Sequence, residues 1–194
     1  MSGFSTKEKL PQGYRIAAFI DPIRNPDLRK FVLRFSLALL IAGIAAGFML
    51  QPKLGLLFSS GLWSVLLRLA VMAAAIVLYM IGHEAVHGGL MWLFSGKKPF
   101  FGFKMGCAYA GSNVYFGKYA HMIIALAPLV LWGAALTAAS LAVPADWFWV
   151  VWGVQLTNLS GSVGDLYMFA RVYHTSRGAL VMDNGLSLRI WQPS

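Results

Sequence analysis

Apolar residues gather in four long blocks: Phe31 to Leu50, Leu62 to about Leu93, His121 to Val143, and Trp147 to about Tyr173. Each approaches the roughly 20 residues that an α-helix, rising about 1.5 Å per residue, needs to cross a hydrocarbon core of about 30 Å. The pattern predicts four transmembrane helices. The second and fourth blocks are longer than one crossing requires, so those helices are expected to tilt or to extend past the bilayer at one end.

Between the second and third blocks the periodicity changes. Phe101, Phe103, Met105, Cys107 and Tyr109 alternate with Gly102, Lys104, Gly106, Ala108 and Ala110, a period of two that marks a strand. Gly111-Ser112-Asn113 then offers turn chemistry before Val114-Tyr115-Phe116, which predicts a short β-hairpin at the membrane interface. The expected fold class is an all-α membrane protein of about four transmembrane helices, with a short β-hairpin between the second and third. A single domain over 1–194 is expected, made of a cytoplasmic N-terminal segment (1–30), a membrane domain (31–173) and a cytoplasmic tail (174–194).

Composition supports a bilayer. The chain is 58% hydrophobic and 12% charged, about half the charged share of soluble domains, too little for a polar coat. Its net charge of +9 does not indicate nucleic acid, because the basic residues collect in the flanks of the apolar blocks rather than on one soluble face. Lys7, Lys9, Arg15, Arg24, Arg29 and Lys30 precede the first block, Lys97, Lys98, Lys104 and Lys118 follow the second, and Arg171, Arg177 and Arg189 lie at the end. With four spans these groups share one side, which predicts both termini in the cytoplasm. Lys53 and Asp146 stay on the other side, with Arg68 placed to snorkel outward. No signal-peptide pattern precedes the first block, which is expected to remain as an anchor. Cys107 is the single cysteine, so an internal disulfide or a Cys-rich metal module is excluded.

The candidate chemistry lies late in the second block, at His83-Glu84-Ala85-Val86-His87. Residues four apart share a helix face, so two imidazoles can aim at one ion while Glu84 on the adjoining face reaches a water that the ion activates. This is the zincin pattern, in which zinc acidifies water and polarises a carbonyl while the Glu moves the proton. By composition, chance placement gives His-Glu-x-x-His with a probability on the order of one in a thousand. A Glu inside a span costs roughly 2.5 kcal/mol or more without a partner.

A catalytic zinc site needs a third protein ligand. No Glu follows Glu84, and Leu90 and Leu93 stand where the metzincin extension requires Gly and His. Asp146, Asp165, Asp183, His121 and His174 remain. Counted from the outer ends of their helices, His83 lies roughly 30 Å down and Asp165 roughly 25 Å down, so these two can meet. Asp146 falls at the opposite surface. Asp183 precedes Asn184-Gly185 in a polar tail and reads as a solvated loop acid. Asp165 is therefore the expected third ligand, with His121 and His174 as interfacial alternatives. Asn158, two turns before Asp165, can hold a substrate carbonyl or oxyanion, or can serve only as an interhelical hydrogen bond. Small residues, Gly82, Gly88 and Gly89 with Ser160, Gly161, Ser162 and Gly164, permit close approach of the second and fourth helices. Pro128 is expected to kink the third.

In Ile81-Gly82-His83-Glu84-Ala85-Val86-His87, Ala127-Pro128-Leu129, Asn158 and Gly164-Asp165, the chain resembles the site-2 protease superfamily, more narrowly the small putative-zincin membrane peptidases found largely in bacteria. The resemblance implies an intramembrane zinc endopeptidase with zinc on His83, His87 and Asp165. It further implies Glu84 as general base and a hairpin that guides an unwound membrane protein or peptide substrate. The chain departs from the larger family in placing Gly164 before the Asp and in lacking a soluble regulatory domain. The rival function is a metal-binding membrane protein without turnover, a transporter or an inactive protease-like adaptor. A third reading is a packing partner that holds no metal. Substrate identity and oligomeric state are not legible in the sequence.

Overall fold

The computed structural model describes residues 4–104 and 107–194. The elements run β1 (Thr6–Lys7), β2 (Tyr14–Ile20), α1 (Pro26–Leu50), α2 (Leu62–Ser95), β3 (Phe100–Lys104), β4 (Cys107–Gly111), β5 (Tyr115–Gly117), α3 (Lys118–Ala142), α4 (Phe148–Gly161), α5 (Val163–Tyr173), β6 (Leu180–Asp183) and β7 (Leu188–Pro193). The chain is mostly helical but not all-α. Among the described residues three helices, α1, α2 and α3, are long and apolar enough to cross a membrane. The fourth apolar block is not one helix. It breaks at Ser162 into α4 of 14 residues and α5 of 11, each shorter than a crossing requires.

Two compact units share the long helices. The first comprises residues 1–32, 83–128 and 164–194, and the second residues 33–82 and 129–163.

The first unit holds both sheets. One is a five-stranded antiparallel sheet in the order β1-β5-β6-β7-β2. Stretches from both ends of the sequence form it: Tyr14 pairs with Pro193 and Ile20 with Leu188. The cause lies in the alternation of Leu188, Ile190 and their neighbours, whose apolar side faces inward. Ile20, Val181, Leu188 and Ile190 pack with Leu28 of α1 and Val172 of α5, all buried. Each such burial is worth about 1.5–3 kcal/mol. A second core joins Met91 of α2 to Val114, Phe116, Ala120 and Ile124. The Lys118 ammonium donates to the carbonyls of Tyr173 (2.7 Å) and Thr175 (2.8 Å), capping the end of α5 with charge of the favourable sign.

The second sheet is the antiparallel pair β3–β4, in register from Phe100↔Gly111 to Lys104↔Cys107. The two halves of the alternating stretch thus pair with each other, and Gly111-Ser112-Asn113 is not the turn between them. Met105 and Gly106 of that stretch, and the side chain of Cys107, lie outside the described residues. The turn-rich triplet instead carries the chain over to β5, and the Ser112 N–H donates to the Asp183 carbonyl at 2.8 Å.

The second unit is a helical bundle with an apolar exterior. Leu33, Leu37 and Ile41 of α1, Leu78 and Ile81 of α2, and Val130 and Leu131 of α3 all lie exposed. Exposed apolar surface of this extent is unfavourable in water and neutral in lipid. Inside, Leu57, Phe148, Trp149, Val150 and Trp152 form an aromatic-rich core. Arg68 does not snorkel outward. It is 4% exposed, its Nη1 donates to the carbonyls of Leu56, Leu57 and Ser59, and its Nη2 pairs with Asp146. Three carbonyls, of which that of Leu56 also accepts the Ser59 N–H and hydroxyl, together with one carboxylate, compensate the buried guanidinium. The small residues of α2 serve neighbours other than α4: the space beside Gly82 is taken by Trp132, and that beside Gly88 by Phe101 and Pro99.

Candidate metal centre

His83 and His87 follow one another by one turn of α2, with ring centroids 4.9 Å apart. Asp165 comes from the first turn of α5, where the break at Ser162 starts a new helix and places a carboxylate at its favourable N-terminal end. His83 Nε2 lies 3.2 Å from Asp165 Oδ2, and His87 Nε2 lies 3.5 Å from Asp165 Oδ1. One donor atom from each residue falls within 4.8 Å of the other two. Tetrahedral zinc with ligands at 2.0–2.2 Å requires donor separations of about 3.4 Å, so these contacts match what the ion demands. Among the described residues this is the one group of three that could hold a metal.

A ligating imidazole needs its other nitrogen fixed. His87 Nδ1 lies 2.9 Å from the Ile124 carbonyl oxygen, which can only accept, so Nδ1 carries the hydrogen and Nε2, on the Asp165 side, is the nitrogen left for an ion. That carbonyl is available for a sequence reason. In α3 it would accept the N–H four residues later, but that residue is Pro128, which has none. Pro128 thus does something more specific than kink the helix: it frees the acceptor that orients the His87 ring.

Glu84 stands beside the triad. Its Oε2 accepts the backbone N–H of Ala110 on β4 at 2.7 Å, leaving Oε1 for a second donor. A half-buried carboxylate so held has the partner that its position requires.

A cavity of about 80 Å³ collects these groups: Glu84, His87 and Asp165 line it together with His121, Asp183 and Gly185, and Ile124, Ala125 and Met168 close it. The sequence reading placed Asp183 in solvent. Its side chain is instead 17% exposed and lies against His121, with 3.2 Å between Oδ2 and Nε2. The missed signal is the apolar run Leu180-Val181-Met182 and the alternating Leu188 and Ile190 on either side of Asp183-Asn184-Gly185, which is a hairpin pattern. The hairpin fits tightly. Gly185 has φ +78°, and a Cβ there would stand 2.6 Å from the Ala110 carbonyl oxygen. His121 lines the cavity but is not in the metal-ligating group, and His174 is exposed with its ring against Tyr173.

Asn158 belongs to the second unit, fully buried. Its Oδ1 accepts from the Tyr79 hydroxyl at 3.0 Å, and its Nδ2 donates to the Leu129 carbonyl at 3.3 Å and to Gln155 Oε1 at 3.4 Å. Every one of these is an interhelical or intrahelical bond.

A family profile described as putative zincin peptidase matches residues 75–180, more than half of the 194. The chain belongs to the putative zincin peptidase family. The zincin match covers α2 from before the His pair, the β3–β4 hairpin, α3, α4 and α5, and so contains His83, Glu84, His87 and Asp165. It ends at Leu180, short of Asp183 and Gly185. No curated protein and no solved structure matches the chain.

Proposed function

We propose that this zincin is an intramembrane zinc metalloendopeptidase that cuts a peptide bond of a membrane protein or peptide in or near its membrane segment. The observation that carries the reading is the convergence of His83, His87 and Asp165, with Glu84 on the same cavity. The two imidazoles and the carboxylate would hold the ion. Zinc bound there supplies a Lewis acid that brings a water's pKa to about 7 and polarises a peptide carbonyl. Glu84 is the general base: Ala110 fixes its Oε2, and Oε1 takes the water's proton and returns it to the leaving amine. A general base beside the ligands is what a storage or transport site does not need, which favours a peptidase over a carrier or inactive adaptor.

The three apolar helices and the lipid-compatible exterior favour a multi-pass protein of the cytoplasmic membrane with both termini cytoplasmic, the side on which its Lys and Arg collect. The β3–β4 pair favours an extended substrate. Helical peptide bonds are closed to attack, and a strand added to a sheet edge opens them. Phe101 and Phe103, 58% and 72% exposed, also suit the interface.

The test is metal content by mass spectrometry on purified full-length protein, with peptide cleavage on the same preparations. About one zinc per chain is expected in wild type and in Glu84→Gln, with cleavage abolished in the latter and zinc reduced in Asp165→Ala. Folded wild type without zinc in a zinc-replete preparation would sink the reading, and zinc without cleavage would transfer it to the adaptor or carrier.

A further inference from the structure

Glu84 takes its place from a backbone amide, the Ala110 N–H that donates to its Oε2 at 2.7 Å. That amide needs a support of its own. It belongs to a sheet of only two strands, β3 and β4, whose Phe101 and Phe103 lie exposed. Two strands by themselves are marginally stable at best, whereas a general base must be held to within about 0.5 Å. The support comes from the other hairpin. The turn 183–187 between β6 and β7 lies along three successive residues of β4 and its end. Gly185 packs on Ala110, where a Cβ would stand 2.6 Å from the Ala110 carbonyl oxygen. Gly111 packs on Asn184, where a Cβ would stand 2.6 Å from the Asn184 carbonyl. The Ser112 N–H donates to the Asp183 carbonyl at 2.8 Å. Two glycines thus set backbone against backbone, with no side chain between them to yield, and Ala110 and Ser112 are buried there.

The turn is itself held, chiefly by one side chain. Asn184 Oδ1 accepts the Leu186 N–H at 3.0 Å, the Ser187 N–H at 2.7 Å and the Ser187 hydroxyl at 3.2 Å, and Asp183 Oδ1 accepts the Gly185 N–H at 2.8 Å. We infer that Asn184 is a positioning residue for the peptidase reaction: it fixes the turn, the turn backs β4, and β4 presents the amide that aims Glu84. The inference rests on the peptidase reading and deepens it. It gives the C-terminal hairpin a part in the chemistry through a turn that lies beyond the residues matched by the family profile.

The test uses the full-length protein and two readouts. One is hydrogen exchange at the Ala110 amide of the metal-free protein, resolved to the residue by electron-transfer fragmentation in mass spectrometry. The other is kcat of the zinc-loaded protein on the best-cleaved member of a quenched fluorescent peptide library. Asn184→Ala should speed Ala110 exchange about tenfold, within the worth of one hydrogen bond to a charged group. It should lower kcat roughly 10–100-fold, the cost of a general base displaced by about 1 Å, with zinc content at the wild-type value. Asn184→Asp, which keeps the accepting oxygen, should restore both. Gly111→Ala, which wedges a methyl group between β4 and the turn, should reproduce the effects of Asn184→Ala and carries the test where that variant fails to fold. Glu84→Ala should free the amide by itself, so that adding Asn184→Ala speeds exchange by less than about twofold more.

Ala110 exchange in folded Asn184→Ala at the wild-type rate overturns the proposal and leaves the peptidase reading standing. Acceleration that persists in full on top of Glu84→Ala, or a loss of kcat that Asn184→Asp fails to restore, marks general loosening and equally overturns it. Wild type that takes up no zinc, or takes it up and cleaves no member of the library, overturns the peptidase reading and the proposal with it, whatever the exchange rates.

Discussion

Replacing Pro128 by alanine restores a backbone N–H to α3 at the position where the helix lacks one. The returning N–H competes with His87 Nδ1 for the Ile124 carbonyl, the contact of 2.9 Å that orients the ring. Loss of an orienting partner of this kind costs 10–100-fold in metal affinity, or about 1.4–2.8 kcal/mol. Folding stability of the metal-free protein should move the other way or not at all. Proline in a helix interior is about 3 kcal/mol worse than alanine. Against that gain stands the buried Pro128 ring, whose two lost methylenes are worth about 1.6 kcal/mol. The net is a gain of about 1 kcal/mol. Opposite signs separate this mechanism from general damage, which lowers both quantities. Competition against a fluorescent zinc chelator measures the affinity, and thermal denaturation of the metal-free protein measures the stability. Val130→Ala, on an exposed face of the same helix, should leave both at wild-type values. Zinc affinity of Pro128→Ala within twofold of wild type would refute the reasoning, for the carbonyl would then be serving both donors.

Other perturbations have calculable outcomes. Arg68→Ala takes the guanidinium away from three carbonyls and from the part-buried Asp146 and should destabilise the second unit by about 3 kcal/mol, read as a lower denaturation temperature with zinc affinity unchanged. Gly185→Ala forces a side chain into a left-handed conformation against the Ala110 carbonyl, a cost of about 1–3 kcal/mol, and a chromatographic and thermal comparison with wild type should show it. Because zinc binds only the folded site, free zinc at a hundred times its dissociation constant should add about 2.7 kcal/mol of stability, and the addition should vanish in His87→Ala.

How much of this was legible in sequence depends on the range of the interactions concerned. The His pair and Glu84 were readable because one helix turn fixes their relation. Asp165 was readable from depth, since rise per residue converts sequence into distance along a span. The break at Ser162 was not, although Gly161, Ser162 and Gly164 mark it, because small residues in membrane helices signal close packing as readily as an end. The sheet was missed for a physical reason: β2 and β7 pair from opposite ends of the sequence, and no local pattern states which strand finds which. Asp183 followed that error, since an acid in a turn looks solvated until the turn is known to be packed. Ala110 holding Glu84 is a backbone donor with no residue-type signature at all. The role of Pro128 was in plain view as a missing N–H, and only the identity of the group that exploits it required coordinates.

The sheet also imposes an order of assembly. The α2 helix, carrying His83, Glu84 and His87, has only local hydrogen bonds to make and can form as soon as its residues are synthesised. The wall of the cavity that bears Asp183 has to wait for β7 to be synthesised and to pair with the much earlier β2. Long-range antiparallel closure is slow compared with helix formation. A nascent chain can therefore present His83 and His87 while its cavity is still open on one side, and, on the proposed peptidase reading, a cavity that closes last would spare neighbouring nascent proteins.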